Sequence, residues 1–317
     1  MRVLVWHVHG SWMTAFVQGG HDYLVPVTPD RDEDGLGRAR TWQWPDSVVE
    51  RTPEQLRTDD VDVVVLQRPQ DIDVAERWLG RRPGRDVPAV YLEHNAPEPH
   101  PVNSRHPMAD QQAIALVHVT GFNQLFWDNG VARTSVIEHG VVDPGERYTG
   151  ELPHAAVVVN DPVRRGRMVG TDLLGRFAAV APVDVFGMRV TQLPGVPGLT
   201  PHEDLAGQNE MHARLALRRV YVHPVRWTSL GLSLIEAMHL GMPVVALAAT
   251  EVAEAVPVDA GVVSTDLERL VAAVRHFVAE PESARLAGKA ARQAALRRYG
   301  LARFLADWDR TLAEAVA

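Results

Sequence analysis

The most restrictive feature of this chain is an alternation of short apolar runs, rich in β-branched residues, with stretches of helical character. The run VDVVVLQ (61–67) is nearly all apolar, which is typical of a strand buried on both faces of a parallel sheet. Alternating elements of this kind predict doubly wound parallel α/β sheets. The first series predicts strands at 2–8, 21–27, 61–67, 87–93, 116–120 and 134–139, and helices near 71–80, 108–115 and 121–129.

A second series of the same kind follows the polar stretch 140–154, which we interpret as a linker. Two series predict two Rossmann-type domains that face one another, and the length of 317 residues suits two cores. Predicted strands lie at 155–160, 183–188, 219–224, 260–264 and the apolar end of 226–247, and predicted helices at 170–181, 208–217, 265–279 and 281–298. A last helix, 301–315, has an apolar stripe that must pack on another surface. The stripe consists of Phe304, Leu305, Trp308 and Leu312.

Composition disfavours several classes of protein. A formal net charge of −8 disfavours a nucleic-acid partner, and the absence of cysteine excludes disulfides, thiolate zinc sites and thiol nucleophiles. No apolar run reaches about 18 residues, and the first residues lack the apolar region of a signal peptide, so we expect a cytoplasmic protein. Lys289 is the only lysine, so roles that lysine often fills are expected to fall to arginine. This arginine bias, with abundant Ala, Gly and Pro, is typical of GC-rich bacterial genomes.

The segment 226–247, RWTSLGLSLIEAMHLGMPVVAL, carries the strongest signal for a site. It predicts a loop, a glycine at 231, a short apolar helix that contains Glu236, a turn and a buried strand. Backbone N–H groups at a helix N-terminus form a natural phosphate site, and a glycine lets them approach a ligand. An acid in an apolar helix is costly unless it is paired, and the two hydroxyls of a ribose are one suitable partner. The alternative is a salt-bridged or partly exposed acid.

Residues 228–246, TSLGLSLIEAMHLGMPVVA, resemble the signature EGFGLxxxEAMAxGxPVVA of the retaining glycosyltransferases of family four. The segments SVIEHGVVD (135–143) and VYLEHNAP (90–97) resemble that family's hinge and one of its strand ends. The resemblance implies the GT-B fold, with two Rossmann-like domains facing a central cleft and the last helix crossing back to the first domain. The implied acceptor domain is 1–145 with 301–317, and the implied nucleotide-sugar domain is 146–300. The implied reaction transfers a sugar from a nucleotide-diphosphate sugar to a hydroxyl-bearing acceptor, without a cofactor or a metal.

The same resemblance assigns residues to the donor site. Glu236 matches the family's ribose-binding glutamate, and the loop before its helix is implied to bind the donor. That loop contributes Ser229, Leu230, Gly231 and Leu232. Thr228 stands where the family has the first of its two glutamates, near the donor sugar, and a hydroxyl there hydrogen-bonds without a charge. Thr228 is therefore one position at which the chain departs from the pattern that it resembles.

A basic loop follows the strand 155–160. Arg165 and Gly166 match the family's Lys-Gly pair, which clamps the diphosphate, and Arg164 and Arg167 flank them. Fixed guanidinium groups aimed at a leaving diphosphate lower the barrier to its departure. The family's other clamping residue, an arginine at the end of the preceding strand, has no counterpart, because Val159 or Asn160 stands at its place. The alternative for this loop is a solvated basic turn.

Two further segments are implied to serve the first domain. Gly10 and Ser11, after the first strand, match a glycine loop that approaches the donor phosphate. His94 matches a histidine near the reacting sugar, so we class it with Arg165 and Thr228 as a candidate catalytic residue. Three neighbours are candidates for the acceptor, namely Glu93, Asn95 and Arg105. The alternative for any histidine of this segment, His94 included, is a surface or turn residue. Residues 28–60 are predicted to be irregular and to shape the acceptor pocket.

Other patterns predict little. The pairs Asp60–Asp62 and Asp71–Asp73 imitate a metal-binding D-x-D motif, and the histidines lack HExxH spacing, so no metal is predicted. Segment 189–207 is a candidate for recognising the base of the donor, but the sequence names neither base, sugar nor acceptor. Two alternatives remain open: a GT-B protein that binds a nucleotide sugar without turnover, and a sugar-nucleotide epimerase of the same fold.

Overall fold

The computed structural model describes residues 1–203 and 205–317, which form two compact units. The first unit comprises Met1–Val142 together with Leu301–Ala317, and the second comprises Asp143–Gly300. Both are α/β units built on a wholly parallel sheet. No helix in the described part of the chain is long and apolar enough to cross a membrane.

The first unit contains a seven-stranded sheet with the order β3-β2-β1-β4-β5-β6-β7. Its strands are β1 (Arg2–Val5), β2 (Asp22–Pro26), β3 (Val48–Arg51), β4 (Val63–Leu66), β5 (Ala89–Glu93), β6 (Ala115–His118) and β7 (Thr134–Val136). Every residue of β4 is buried, as its apolar run predicted. The strand order reverses at β1 and β4, and the crevice beyond their carboxyl ends is where ligands bind in such sheets.

Helices cover this sheet and bring its loops into place. They are α1 (Gly10–Phe16), α2 (Pro53–Leu56), α3 (Asp71–Leu79), α4 (Gly121–Phe126) and, at the end of the chain, α12 (Leu301–Val316). A core cluster joins these helices to alternate residues of the strands. Leu56 contributes from α2, and Val74 and Leu79 contribute from α3. The sheet therefore buries apolar side chains under these helices, as a doubly wound sheet requires.

Helix α12 belongs to the first unit, as the sequence predicted for the last helix. Trp308 lies edge-on to Phe16 and Trp12 of α1, with ring centroids 5.0 and 5.5 Å apart. Phe304 packs against the backbone at Gly140, where an added Cβ would lie 2.3 Å from that of Phe304. The apolar stripe thus fixes α12 to this unit through buried aromatic rings, which bring large apolar areas to a contact.

The second unit contains a six-stranded sheet with the order β10-β9-β8-β11-β12-β13. Its strands are β8 (Leu152–Val158), β9 (Val183–Phe186), β10 (Leu199–His202), β11 (Arg218–His223), β12 (Val244–Leu247) and β13 (Gly261–Ser264). Its helices are α5 (Pro162–Arg165), α6 (Leu174–Ala178), α7 (Gln208–Ala216), α8 (Leu232–Leu240), α9 (Val252–Ala255), α10 (Leu267–Ala279) and α11 (Pro281–Arg298). Here the strand order reverses at β8 and β11.

Several sequence predictions of local structure were wrong. The stretch 28–60 contains β3 and α2, and 108–115 is a series of turns rather than a helix. The predicted helix 170–181 is divided into a 3₁₀ turn at Thr171–Leu173 and the short helix α6. Strand β10 lies inside 189–207, where no strand was predicted. Edge strands such as β3 and β10 have a half-exposed face, so they lack the continuous apolar run of a central strand.

Candidate functional site

In the second unit, the loops that follow β8 and β11 meet at the point where the strand order reverses. The carbonyl of Met168, in the loop after β8, accepts hydrogen bonds from the backbone N–H groups of Arg226 (2.8 Å) and Trp227 (3.3 Å) in the loop after β11. Gly170 lies so close to Pro224 that an added Cβ would be 2.1 Å from the Pro224 carbonyl oxygen. Two segments that the sequence singled out separately therefore form one surface.

The basic loop after β8 holds its three arginines in different settings. Arg164 and Arg167 are largely exposed and pair with Asp161 (3.0 Å) and Asp172 (2.8 Å), contacts of the kind that water and salt weaken. Arg165 is half-buried, with Nη2 3.8 Å from the sulfur of Met168. Arg165 is therefore the arginine that the loop packs most firmly beside the junction.

Glu236 lies in α8 with only 4% of its side chain exposed, and its Oε2 atom has two partners from α7. Gln208 donates from Nε2 at 2.5 Å, and Nε2 of His212 lies at 3.2 Å. The sequence left a paired acid open as the alternative to a ribose partner, and Glu236 does have partners within the protein. Its burial is already compensated by neighbouring side chains, as a buried carboxylate requires. The ribose role of Glu236 stays a prediction.

Gly231 precedes α8 and is its N-cap residue, in an extended conformation that any residue adopts. What requires glycine here is His223, at the end of β11: an added Cβ would lie 2.6 Å from Cε1 of its imidazole. From the sequence, we interpreted this glycine as allowing a phosphate to approach the backbone. Its contact with His223 is a second reason for glycine at this position. Of the other predicted donor residues in this loop, Ser229 and Leu230 are buried, while Thr228 and Leu232 are half-buried.

His223 is a feature that the sequence interpretation missed. Burial lowers its pKa to about 4, so the ring is neutral at physiological pH. Its Nδ1 lies 3.4 Å from the hydroxyl of Tyr221, which also hydrogen-bonds Ser233 of α8 at 3.0 Å. Within the described residues its Nε2 has no hydrogen-bond partner. A histidine at the end of a strand that enters a glycine loop is the signal that could have identified it.

In the first unit, His94 lies at the carboxyl end of β5 and is buried. Its Nε2 is 2.8 Å from Oε1 of Gln67, whose amide nitrogen donates to the carbonyl of Trp6 at 2.6 Å. Because that amide already donates through its nitrogen, its oxygen accepts, and the proton of His94 resides on Nε2. Burial, with the neighbouring His9 and His139, holds the pKa of His94 well below its ordinary value. His94 is thus a neutral imidazole with a fixed tautomer.

The glycine loop after β1 lies beside His94. The rings of His9 and His94 are 4.3 Å apart, and Trp12 of α1 lies edge-on to His94 at 5.3 Å. Gly10 and Ser11 form the first turn of α1, and Trp42 covers Gly10: an added Cβ would lie 2.9 Å from its indole nitrogen. The structure therefore brings the two predicted sites of this unit together, and a tryptophan from the stretch 28–60 packs against Gly10.

Glu93, Asn95 and Arg105 have internal partners. The buried carboxylate of Glu93 contacts Nε2 of His106 at 2.9 Å and accepts from the backbone N–H of Asn95 at 2.6 Å. Arg105 is about half exposed and pairs with Asp110 and with Asp128. These contacts hold the loop after β5 in shape, so Glu93 needs no ligand to compensate its burial.

Of the acids that imitate a metal-binding motif, Asp71 has hydrogen-bond partners within the protein. Asp71 is fully buried and accepts from the backbone N–H groups of Gln67 and Arg68, both at 2.9 Å. In the described ranges, no group of three or more His, Asp or Glu side chains is arranged to hold a metal ion. Asp71 thus helps to fix the loop that carries Gln67, the partner of His94.

Two parallel Rossmann-like sheets with this connectivity define the GT-B class of glycosyltransferase folds, and solved structures of that class match the chain. Sucrose-phosphate synthase from Thermosynechococcus elongatus has 13% identity and a TM-score of 0.73, covering 99% of this chain and 98% of that one. Anabaena HepE in complex with UDP and glucose has 14% identity and a TM-score of 0.73, covering 99% of both chains. S. aureus TarM has 13% identity and a TM-score of 0.64 over 79% of this chain, which spans 55% of TarM.

Residues 185–280 match the family model described as Glycosyl transferases group 1. This match confirms the resemblance that the signature around Glu236 indicated, over the part of the second unit that contains α7 and α8. No curated protein sequence matches the chain.

Proposed function

We propose that this protein is a glycosyltransferase that moves a sugar from a nucleotide-diphosphate sugar to a hydroxyl-bearing acceptor, with retention at the anomeric carbon. The observation that carries the proposal is the junction of the loops after β8 and β11 at the start of α8. The two loops carry the half-buried Arg165 and the backbone N–H groups at the N-terminus of α8, and α8 itself contains the buried carboxylate of Glu236. Those groups are complementary to a diphosphate and a ribose.

Two of the structural relatives bind molecules of this kind. HepE is described with UDP and glucose, and TarM with UDP and α-GlcNAc-glycerol. Because identities of 13–14% reflect a shared fold, the proposal depends on the residues of this chain. The fold, the family match and the residues of the site nevertheless all support a sugar nucleotide as the donor.

The proposed roles follow from the chemistry of each group. Arg165 and the N–H groups before α8 stabilise charge on the departing diphosphate, and Glu236 holds the ribose. The bond between the anomeric carbon and the diphosphate oxygen breaks, and a bond to the acceptor oxygen forms on the same face. The proton of the acceptor hydroxyl passes to the departing phosphate oxygen, so no protein base is required. His94 is proposed to contact the reacting sugar and acceptor as a neutral imidazole.

Titration calorimetry of Glu236→Gln with UDP, GDP and ADP tests the donor site. We expect the nucleotide that binds the wild type to bind at least about tenfold more weakly, the scale of one hydrogen bond to a charged group. Asp184→Asn is the control, since Asp184 is a buried acid of the same unit that pairs with Arg218 at 2.9 Å. Unchanged affinity in Glu236→Gln would count against the ribose role.

The absence of a charge at Thr228 favours a second candidate, a GT-B protein that binds a nucleotide sugar without turnover. Incubation with a panel of sugar nucleotides and acceptors separates the two. Nucleotide binding without any product supports the binding protein, and transfer to an acceptor supports the enzyme. Conversion of the donor in the absence of an acceptor indicates a third possibility, an epimerase of the same fold.

A further inference from the structure

Helix α7 holds the buried carboxylate of Glu236 from one side. We propose that Gln208 and His212 are positioning residues, which orient Glu236 so that the donor site selects ribonucleotides over 2′-deoxyribonucleotides. The inference rests on the proposed function, because it assigns the ribose to Glu236. It goes further by naming the residues that set this selectivity and the class of nucleotide that the site rejects.

The geometry of α7 carries the inference. Gln208 and His212 are one helical turn apart, so their side chains emerge on the same face of α7. Both reach the same oxygen, Oε2 of Glu236, at 2.5 and 3.2 Å, and their own Nε2 atoms are 3.1 Å apart. Three side chains from two helices thus form one compact hydrogen-bonded group around a single carboxylate oxygen.

The two contacts to Oε2 restrict the orientation of the carboxylate before a ligand arrives. A glutamate side chain loses substantial rotamer freedom when it is ordered, and here neighbouring residues impose that order during folding. A ligand that meets an already oriented carboxylate does not bear the cost of ordering it, so each hydrogen bond to a hydroxyl contributes more affinity. Removing the contacts from α7 should therefore weaken recognition of the ribose hydroxyls in particular.

The position of Gln208 places this group at the edge of the sheet where ligands bind. It is the first residue of α7 and is half-buried, whereas His212 is buried, with 7% of its side chain exposed. Gly207 before it has φ 145°, a conformation that favours glycine and turns the chain from β10 into α7. Gln208 therefore begins the helix that follows β10, separated by residues 203–207 from the carboxyl end of that strand at His202.

If His212 only stabilised the fold, its replacement would lower the stability of the protein and leave the selectivity for ribonucleotides unchanged. The distinguishing measurement is the ratio of dissociation constants for a 2′-deoxyribonucleoside diphosphate and its ribonucleotide, using whichever of UDP, GDP and ADP binds best. We expect a ratio of about tenfold in the wild type, the value of one charge-assisted hydrogen bond. In His212→Phe and Gln208→Leu the ratio should fall towards one, and His212→Gln, which keeps an N–H donor, should restore most of it.

Controls separate this inference from the proposed function. His118→Phe alters a buried histidine of the first unit, hydrogen-bonded to Asn129 at 3.0 Å, and should lower stability without changing the ratio. If Glu236→Gln abolishes the discrimination but both His212→Phe and Gln208→Leu retain it, the positioning role is wrong and the proposed function stands. If the wild type binds none of the three diphosphates, both are wrong. Gln208 is half-buried at the start of a helix, so Gln208→Leu is expected to fold even if His212→Phe does not. In that case the ratio is measured with Gln208→Leu.

Discussion

The imidazole of His223 occupies the space that a side chain at position 231 would need, with Cε1 2.6 Å from the place of a Cβ atom. His223 ends β11 and Gly231 caps α8, so this contact sets how closely the strand and the helix approach. The helix N-terminus proposed to bind the diphosphate is thereby fixed to the sheet by packing.

Gly231→Ala should therefore destabilise the protein by about 1–3 kcal/mol, the usual cost of overpacking a buried site. Urea denaturation followed by circular dichroism measures the change. Gly195→Ala is the matched control, because an added Cβ there meets no atom within 4 Å. The double variant His223→Ala with Gly231→Ala should recover part of the loss. Equal stabilities for the two single glycine variants would show that the contact is not restrictive.

Arg165→Ala should lower kcat by about 10²–10³, the cost of removing one donor to a developing anion, with little change in the KM of the acceptor. Steady-state kinetics with the best donor and acceptor pair measure both constants. Arg176→Ala provides the control, since Arg176 is exposed and pairs with Glu268. A rise in the acceptor KM with unchanged kcat would overturn the assignment of Arg165 to the diphosphate.

The stability of the protein should fall as the pH falls from about 6.5 towards 4. Burial lowers the pKa of His118 and His223 to about 4, and burial with neighbouring charges lowers that of His139 to about 3. In this window the unfolded chain binds protons that the folded state excludes. Each of these histidines therefore lowers the free energy of unfolding by about 1.4 kcal/mol for each pH unit of acidification. Urea denaturation between pH 7 and 5 measures the slope. His118→Gln should flatten it, and a free energy of unfolding independent of pH would contradict the prediction.

Phe304→Ala should cost about 3–5 kcal/mol, because Phe304 is fully buried against the backbone at Gly140. The loss should appear as an earlier unfolding transition of the first unit and as faster proteolysis of α12. Arg310→Ala, on the exposed face of the same helix, should change stability by less than about 0.5 kcal/mol. Similar effects of the two substitutions would mean that α12 does not depend on its aromatic stripe.

Much of the fold was predictable because the central strands have a recognisable sequence pattern. Strand β4 is apolar throughout, since it is buried on both faces, and the stripe of α12 has helical spacing. The turns at 108–115 were mistaken for a helix because apolar residues there, Met108 and Ile114, are buried by tertiary contacts rather than by helical periodicity. Strands β3 and β10 were missed because edge strands carry mixed polarity.

The sequence alone determined the class of fold and located the segment 226–247, because local spacing encodes a helix start, a glycine and an acid in order along the chain. It did not reveal the partners of that acid. Gln208 and His212 precede Glu236 by 28 and 24 residues, and only the packing of α7 against α8 brings them to it. Likewise Gln67 reaches His94 across 27 residues. Hydrogen bonds between elements depend on how helices and strands pack in three dimensions, and this information is distributed over the whole core rather than carried by any one motif.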